Sequence, residues 1–186
     1  MKKTDNTNEF LESQKKIEEI LEHVLQISKD SYKQETDRSG IILSKSDNLF
    51  KYSSTIFTAT NVIFSLLYVN KLIDSYALLA GYSIVILPFI VSIFFAISAQ
   101  HLRHELFFPF GSDIINAIVK SPADYDSTIK MKNYHILCYS ESTEKMQQNN
   151  NYKAVLLSRA YWFYMLGVGC FTGLFIYLAS IAINGN

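Results

Sequence analysis

The sequence predicts an all-α fold: a membrane helical bundle with about three transmembrane helices and cytoplasmic amphipathic helices. Charged residues make up 18% of the chain, with 17 basic and 17 acidic side chains, yet three long segments contain none: 52–70, 75–100 and 160–186. Each segment is close to the roughly 20 apolar residues that a helix needs to cross a hydrocarbon core. A soluble domain would distribute its charge more evenly, because every surface helix needs a polar face.

We place the spans at about 53–70, 76–99 and 161–183. Hydroxyl and amide side chains dilute the first span, so an amphipathic helix buried in a soluble core is the alternative for that segment. Pro88 lies inside the second span and predicts a kink, because it removes a backbone donor and clashes with the preceding turn. The chain then divides into cytoplasmic N-terminal amphipathic helices, a transmembrane hairpin, a cytoplasmic helical segment and a C-terminal transmembrane helix: 1–50, 53–99, 100–160 and 161–183.

Basic residues near the ends of the spans predict the orientation. They precede the first span, follow the second and precede the third: Arg38, Lys45, Lys51, Arg103, Lys153 and Arg159. The flanks that carry an excess of Lys and Arg lie on the cytoplasmic side of a membrane. We therefore expect a multi-pass protein with a cytoplasmic N-terminus and an external C-terminus.

Residues 8–35 predict a strongly amphipathic helix. Its apolar side chains recur at heptad-like spacings and form a short seam: Ile17, Ile20, Val24 and Ile27. The seam lasts about two heptads, whereas coiled coils are usually identified from three to four. Packing against the middle segment of the same chain and self-association both remain open. In either case we expect these four side chains to form a docking surface.

Two of the predicted spans continue into the cytoplasm as helices. The segment from 41 to 69 contains neither Pro nor Gly, and the segment from 143 reaches Gly167 without either residue. Because Pro and Gly are the strongest breakers of helices, we expect continuous helices over about 41–69 and 143–183.

Polar and small residues inside the spans indicate helix packing. Asn61 lies in the middle of the first span, where its amide must find a hydrogen-bond partner in a neighbouring helix. Gly169 and Gly173 form a GxxxG motif in the third span, with Gly167 as a further small position. This motif allows two helix backbones to approach closely. The partner helix is either the first span, the second span or another copy of the chain.

The sequence contains few candidate catalytic or metal-binding residues. His101 and His104 form one pair of candidate metal ligands, and His135 and Cys138 form another, but nothing shows that the pairs converge. The common nucleotide-binding and hydrolase motifs are absent. We therefore predict no catalytic residue, no cofactor and no metal.

Charge excludes two further classes of protein. The formal net charge is zero and the sequence pI is about 6.9, so direct nucleic-acid binding through a basic patch is not expected. No span contains an ionisable Asp, Glu, Lys, Arg or His. Ion-coupled transporters need such residues along their pathway, so the chain does not have the pattern of one.

Two segments resemble each other and a known group of proteins. Asp37-Arg38 leads into Ile41-Ile42-Leu43-Ser44-Lys45 before the first span, and 149–153 leads into Val155-Leu156-Leu157-Ser158-Arg159 before the third. This pattern, over about 38–69 and 149–183, resembles the membrane portion of small bacterial anti-phage effectors, in particular the Pycsar transmembrane effectors. It is more loosely similar to small membrane proteins of retron, CBASS and CRISPR-associated systems.

The resemblance implies a protein of the bacterial inner membrane that contacts lipid, forms a homo-oligomer and disrupts the membrane during infection, causing abortive infection. The chain contains no recognisable cyclic-nucleotide-binding domain, so the expected activator is a cytoplasmic partner protein or complex. The alternative hypothesis is a passive membrane anchor or assembly subunit that recruits a cytoplasmic enzyme through residues 8–35.

Overall fold

The computed structural model describes residues 3–69, 75–101 and 127–184. Within these ranges the chain is all-helical and contains no strand, which confirms the all-α class. Helix α1 is Lys3–Val69, helix α2 is Ser75–His101 and helix α3 is Thr128–Asn184. All three are long and apolar enough to cross a membrane. Arg103 and His104 lie outside the described residues.

Helix α1 is longer than the sequence analysis predicted. We expected one helix over 8–35 and a second from about 41, but a single helix continues through Gly40. One glycine in a helix costs about 0.5–1 kcal/mol, which is too little to end a helix that is favoured on both sides. The glycine therefore does not mark a boundary.

Helix α3 also begins earlier than predicted, at Thr128 rather than at about 143. The side chain of Ser127 caps it, since its Oγ accepts a hydrogen bond from the backbone N of Lys130 at 3.3 Å. Serine at this position satisfies one of the backbone donors that a helix start leaves unpaired. The pair Ser121-Pro122 is also typical of a helix start, with Ser as the N-cap and Pro at the first helical position, but it lies outside the described residues.

The chain forms two compact units, each made of more than one segment. The first unit comprises Met1–Ser39 and His104–Asn150, and the second comprises Gly40–Arg103 and Asn151–Asn186. The first unit therefore contains parts of α1 and α3. The second unit contains parts of α1 and α3 together with α2.

A hydrophobic core joins the three helices of the second unit. Its buried residues come from every helix: Ile42, Leu49, Ala96, Leu157 and Ala160. Aromatic rings extend this core, with Phe95 stacked on Phe163 at a centroid distance of 5.8 Å and Phe89 edge-on to Tyr164 at 6.2 Å. Alanine at two of the five core positions lets the helices approach closely.

Large apolar side chains also cover the outside of the second unit. They are exposed on all three helices: Val62, Leu66, Leu79, Ile84, Leu87, Ile90, Phe94, Trp162, Met165, Leu166, Phe175 and Ile176. In the most apolar window of α3, 6% of the residues are buried inside the chain. Soluble monomers rarely expose contiguous apolar surface on this scale. The second unit is therefore apolar on the outside as well as in its core.

The core of the second unit provides a stability test. Leu49 is 1% exposed in the core, whereas Ile41, on the same helix, is 56% exposed. Leu49→Ala should lower the free energy of unfolding by about 2–5 kcal/mol, because it leaves a cavity. Ile41→Ala, the control, should change it by no more than about 0.5 kcal/mol. Unfolding of the full chain in mixed detergent micelles, followed by circular dichroism, measures both. Equal losses would contradict the position of the core.

Candidate functional site

A chain of buried hydroxyl groups links the three helices of the second unit. Ser46 Oγ donates to the carbonyl of Ala96 at 2.8 Å, and Ser92 Oγ donates to the carbonyl of Ala160 at 2.9 Å. Ser53 Oγ lies 3.2 Å from Ser92 Oγ. The single proton of Ser92 is used on Ala160, so Ser53 must donate to Ser92. We call the connection Ser53–Ser92–Ala160, which runs from α1 through α2 to α3, the hydroxyl relay.

The spacing of small hydroxyl residues in α1 explains why this contact forms. Ser46, Ser53 and Thr60 follow one another at intervals of seven residues, and each is 0% exposed. A seven-residue interval keeps side chains on one face of a helix that packs against neighbours. Small side chains let the backbones approach, and hydroxyls hydrogen-bond across the interface. Of these three we counted only Thr60 as dilution of the first span, although the regular interval of Ser46, Ser53 and Thr60 was the signal of a packing face.

Asn61 finds its partner on the second helix. The phenol of Tyr82 donates to Asn61 Oδ1, while Asn61 Nδ2 donates to the carbonyl of Phe57, one turn back, at 2.9 Å. The Tyr82 ring also lies edge-on to Phe64 at a centroid distance of 5.1 Å. Both ends of the amide are therefore bonded, and the pair joins α1 to α2.

The Asn61–Tyr82 pair lines a groove of about 620 Å³ between these two helices. The rest of the lining is mostly apolar and aromatic, with one serine: Phe64, Ser65, Tyr68, Val69, Tyr76, Leu78 and Leu79. No charged residue is among the described lining residues. Its described lining offers the hydroxyl groups of Ser65, Tyr68, Tyr76 and Tyr82 and the amide of Asn61, but no carboxylate, imidazole, thiol or amine.

The three glycines of the third span face different environments. A Cβ atom on Gly167 would lie 2.9 Å from Cζ of Phe89, whose ring is fully buried. Gly167 is therefore needed where α3 passes α2. Gly169 and Gly173 are exposed, and a Cβ on either would meet nothing within 4 Å. The GxxxG motif thus faces away from the described residues of its own chain.

Pro88 is buried in α2, and the helix continues without interruption from Ser75 to His101. The neighbouring residue Phe89 packs on Gly167 and Tyr164 of α3. Pro88 thus lies in the part of α2 that contacts the third helix.

In the first unit, the predicted docking seam lies on an exposed face of α1. Ile17, Ile20, Val24 and Ile27 are 47%, 62%, 38% and 52% exposed. We call these four side chains the outer stripe. The half-buried positions are each one residue further along: Glu18, Leu21, Leu25 and Ser28. The face of α1 that packs within the chain is therefore displaced by one residue from the predicted seam.

Polar and aromatic contacts join α1 to α3 in this unit. Tyr32 lies edge-on to Tyr139 at 5.7 Å, and Asn150 Nδ2 donates to both the carbonyl and Oε2 of Glu35 at 2.9 Å. Arg38, one of the predicted orientation residues, lies 3.4 Å from the other carboxylate oxygen of Glu35. Asn150 is fully buried, and its Oδ1 accepts no hydrogen bond from the described residues.

The remaining basic residues differ in exposure. Lys45 and Arg159 are exposed, and Lys51 is exposed and pairs with Asp47 at 2.6 Å. Lys153 is 1% exposed, although the sequence analysis treated it as a flanking charge. Its burial lowers the pKa of the ammonium group, because removal from water disfavours the charged form. Lys153 therefore contributes to packing as well as to the charge pattern.

No group of three potential metal ligands occurs in the part of the chain that the structure describes. Comparison with protein families, with curated proteins and with solved structures yields no match. The class that the fold defines is therefore an all-helical protein with three helices able to cross a membrane. Its particular function must be argued from the residues.

Gly167 and Gly169 form a matched pair for a test. Gly167→Ala should lower the stability of the full chain by about 1–3 kcal/mol, because the added methyl group forces Phe89 to move. Gly169→Ala should instead raise the stability of the isolated chain by about 0.5–1 kcal/mol, because alanine favours the helix and its Cβ would meet nothing. Thermal unfolding at a high ratio of detergent to protein, which keeps the chains apart, compares the two variants. A larger loss for Gly169→Ala would contradict the assignment of faces.

Burial of Lys153 predicts a dependence on pH. The pKa of Lys153 is lowered from 10.5 in the folded chain, so the unfolded chain holds more protons between the lowered value and 10.5. The free energy of unfolding should therefore rise with pH across that window. Between neutral pH and about pH 10, the free energy of unfolding of the wild type should therefore rise relative to that of Lys153→Met. Lys45→Met is the control, and the same shift there would contradict the prediction.

Proposed function

We propose that this chain is an integral membrane effector of a bacterial antiviral defence system. It lies in the inner membrane with its N-terminus in the cytoplasm. When a cytoplasmic partner protein or complex engages it, it oligomerises and perturbs the membrane, so that the infected cell stops growing or dies.

The observation that carries the membrane proposal is the distribution of polarity in the second unit. Its outside is apolar, while its interior contains the hydroxyl relay and the Asn61–Tyr82 pair. In a bilayer, apolar side chains are well solvated by lipid and polar groups need partners inside the bundle. A helix buried in a soluble core is a poor fit to the first span, because 17% of its apolar window is buried.

The proposal of oligomers in the membrane is supported by the exposed GxxxG motif. Gly169 and Gly173 lie on α3 between the exposed apolar side chains of Leu166 and Ile176. Helices in lipid associate through such small residues, because close packing replaces the hydrophobic effect as the driving force. With no described residue of its own chain at this face, the GxxxG motif suits the equivalent face of another copy.

Perturbation of the membrane fits the spans better than transport does. The hydroxyls of the relay are all used in bonds between helices, and no charge lies within the spans. A transporter needs ionisable groups on its pathway. The antiviral part of the proposal rests on the resemblance of residues 38–69 and 149–183 to anti-phage effectors.

A second candidate is a passive membrane anchor that recruits a cytoplasmic enzyme. The exposed outer stripe favours it, since four Ile and Val side chains on one helix face suit a groove in another protein. The two candidates differ in what the chain does to the membrane.

Membrane potential separates the two functions. The full chain is expressed from a controlled promoter in bacterial cells, with and without its neighbouring genes, and a voltage-sensitive dye reports the potential. An effector should depolarise the cells when its partner genes are present and activated. The double variant Gly169→Leu/Gly173→Leu is the control: it should reach the membrane fraction yet leave the cells polarised. Cells that stay polarised under every condition would contradict the effector and favour the anchor.

A further inference from the structure

We infer that the outer stripe of α1 is a self-association surface, on which the first units of three or four copies pack in parallel. This inference deepens the proposed function and rests on it for one step, the common orientation of the copies. Its occupant is a second copy of this chain rather than a different protein.

The described side chains of the first unit bury little apolar surface within one chain. Among its described side chains, 12–39 and 127–150, Met146 is the one buried apolar residue, and the other buried ones are Ser39, Ser142 and Asn150. The contacts between α1 and α3 include an edge-on ring pair, an exposed ion pair between Lys132 and Glu22, amide hydrogen bonds, and a hydrogen bond from Thr36 Oγ1 to Met146 Sδ at 3.6 Å. Two amphipathic helices are normally held together by an apolar stripe. Here the more apolar of the two adjacent stripes on α1 is the one left outside.

The residue types of the outer stripe favour association of three or four helices. Ile17 and Val24 take one position of the heptad, and Ile20 and Ile27 take the other. In parallel coiled coils, β-branched residues at both positions favour three or four strands over two. The stripe is short, but insertion in one membrane raises the effective concentration of the copies and so lowers the cost of association.

The flanks of the outer stripe are compatible with a parallel arrangement. Copies that cross one membrane insert with the same orientation, so their stripes run in the same direction. In parallel register Lys16 faces Leu21 of the neighbouring copy, and His23 faces Ser28. Within the stripe, from Ile17 to Ile27, these pairs place no like charges opposite each other. Beyond its end Asp30 would face Glu35 of the neighbouring copy, but Glu35 is bonded to Asn150 and Arg38 of its own chain. Lys16 and Asp30 also bond within their own helix, to Glu12 and Gln26.

Cysteine cross-linking of the full-length chain tests this surface. Ile20→Cys and its neighbour Glu19→Cys are each introduced with Cys138→Ser and Cys170→Ser, and membranes are oxidised mildly. Both positions are exposed, but only residue 20 belongs to the stripe. Because a disulfide needs Cβ atoms about 4 Å apart, Ile20→Cys should give a covalent dimer several-fold more abundant than Glu19→Cys. Native mass measurement of the purified wild type should give an assembly of three or four copies. The double variant Ile20→Asp/Val24→Asp should not form this assembly.

The outcomes separate this inference from the proposed function. If the chain is in the membrane fraction and the two cysteine variants cross-link equally, the stripe is not a self-association surface and the inference is overturned. A native mass of one or two copies overturns the predicted number. If the chain is absent from the membrane fraction, the proposed function is overturned instead. The same two cysteine variants, measured in the soluble fraction, then still decide whether the stripe pairs with itself.

Discussion

The hydroxyl relay from Ser53 through Ser92 to the carbonyl of Ala160 is the interaction on which the second unit depends. Its predicted spans lack charges, and lipid around them would provide no hydrophobic force to hold them together. What remains is close packing and hydrogen bonding, and the relay provides both, since serine is small and its hydroxyl can donate and accept. The seven-residue interval of hydroxyls in α1 and the alanines of the core follow from the same requirement for close approach.

That requirement also divides the glycines. The ring of Phe89 occupies the space where a side chain at Gly167 would lie, so Gly167 belongs to the interior of one chain. Gly169, two residues further on, and Gly173 lie on an open face. Residues two apart on a helix point in different directions. A single short segment of α3 can therefore pack inside its own bundle and present a second surface outside it, without the two roles competing.

The sequence predicted which segments are helical, but it did not predict which faces of the helices pack. Long charge-free segments indicated helices able to cross a membrane, because length and composition alone decide this property. Gly40 misled the prediction because glycine lowers helix stability by less than the flanking residues contribute. The seam of Ile17 and Ile20 was found by apolar periodicity, yet the face that packs lies one residue further on, at positions that include Leu21 and Ser28. Periodicity identifies an apolar stripe, but it does not say which neighbour is close enough to cover it. The burial of Lys153 was missed for a similar reason, since a basic residue beside a span is expected to be exposed and the sequence does not say which neighbours cover it.

The hydroxyl relay and the outer stripe differ in how much free energy each can contribute. In membranes, a hydrogen bond between helices contributes about 0.6 kcal/mol on average, so the hydroxyl relay holds the bundle with no more than about 2 kcal/mol. Covering the outer stripe, whose side chains are about half exposed, would release roughly 3–6 kcal/mol of hydrophobic free energy. Moving a two-state equilibrium from almost fully one way to almost fully the other takes about 5.5 kcal/mol. Association through the outer stripe is therefore large enough by itself to move the first unit between separate and assembled copies.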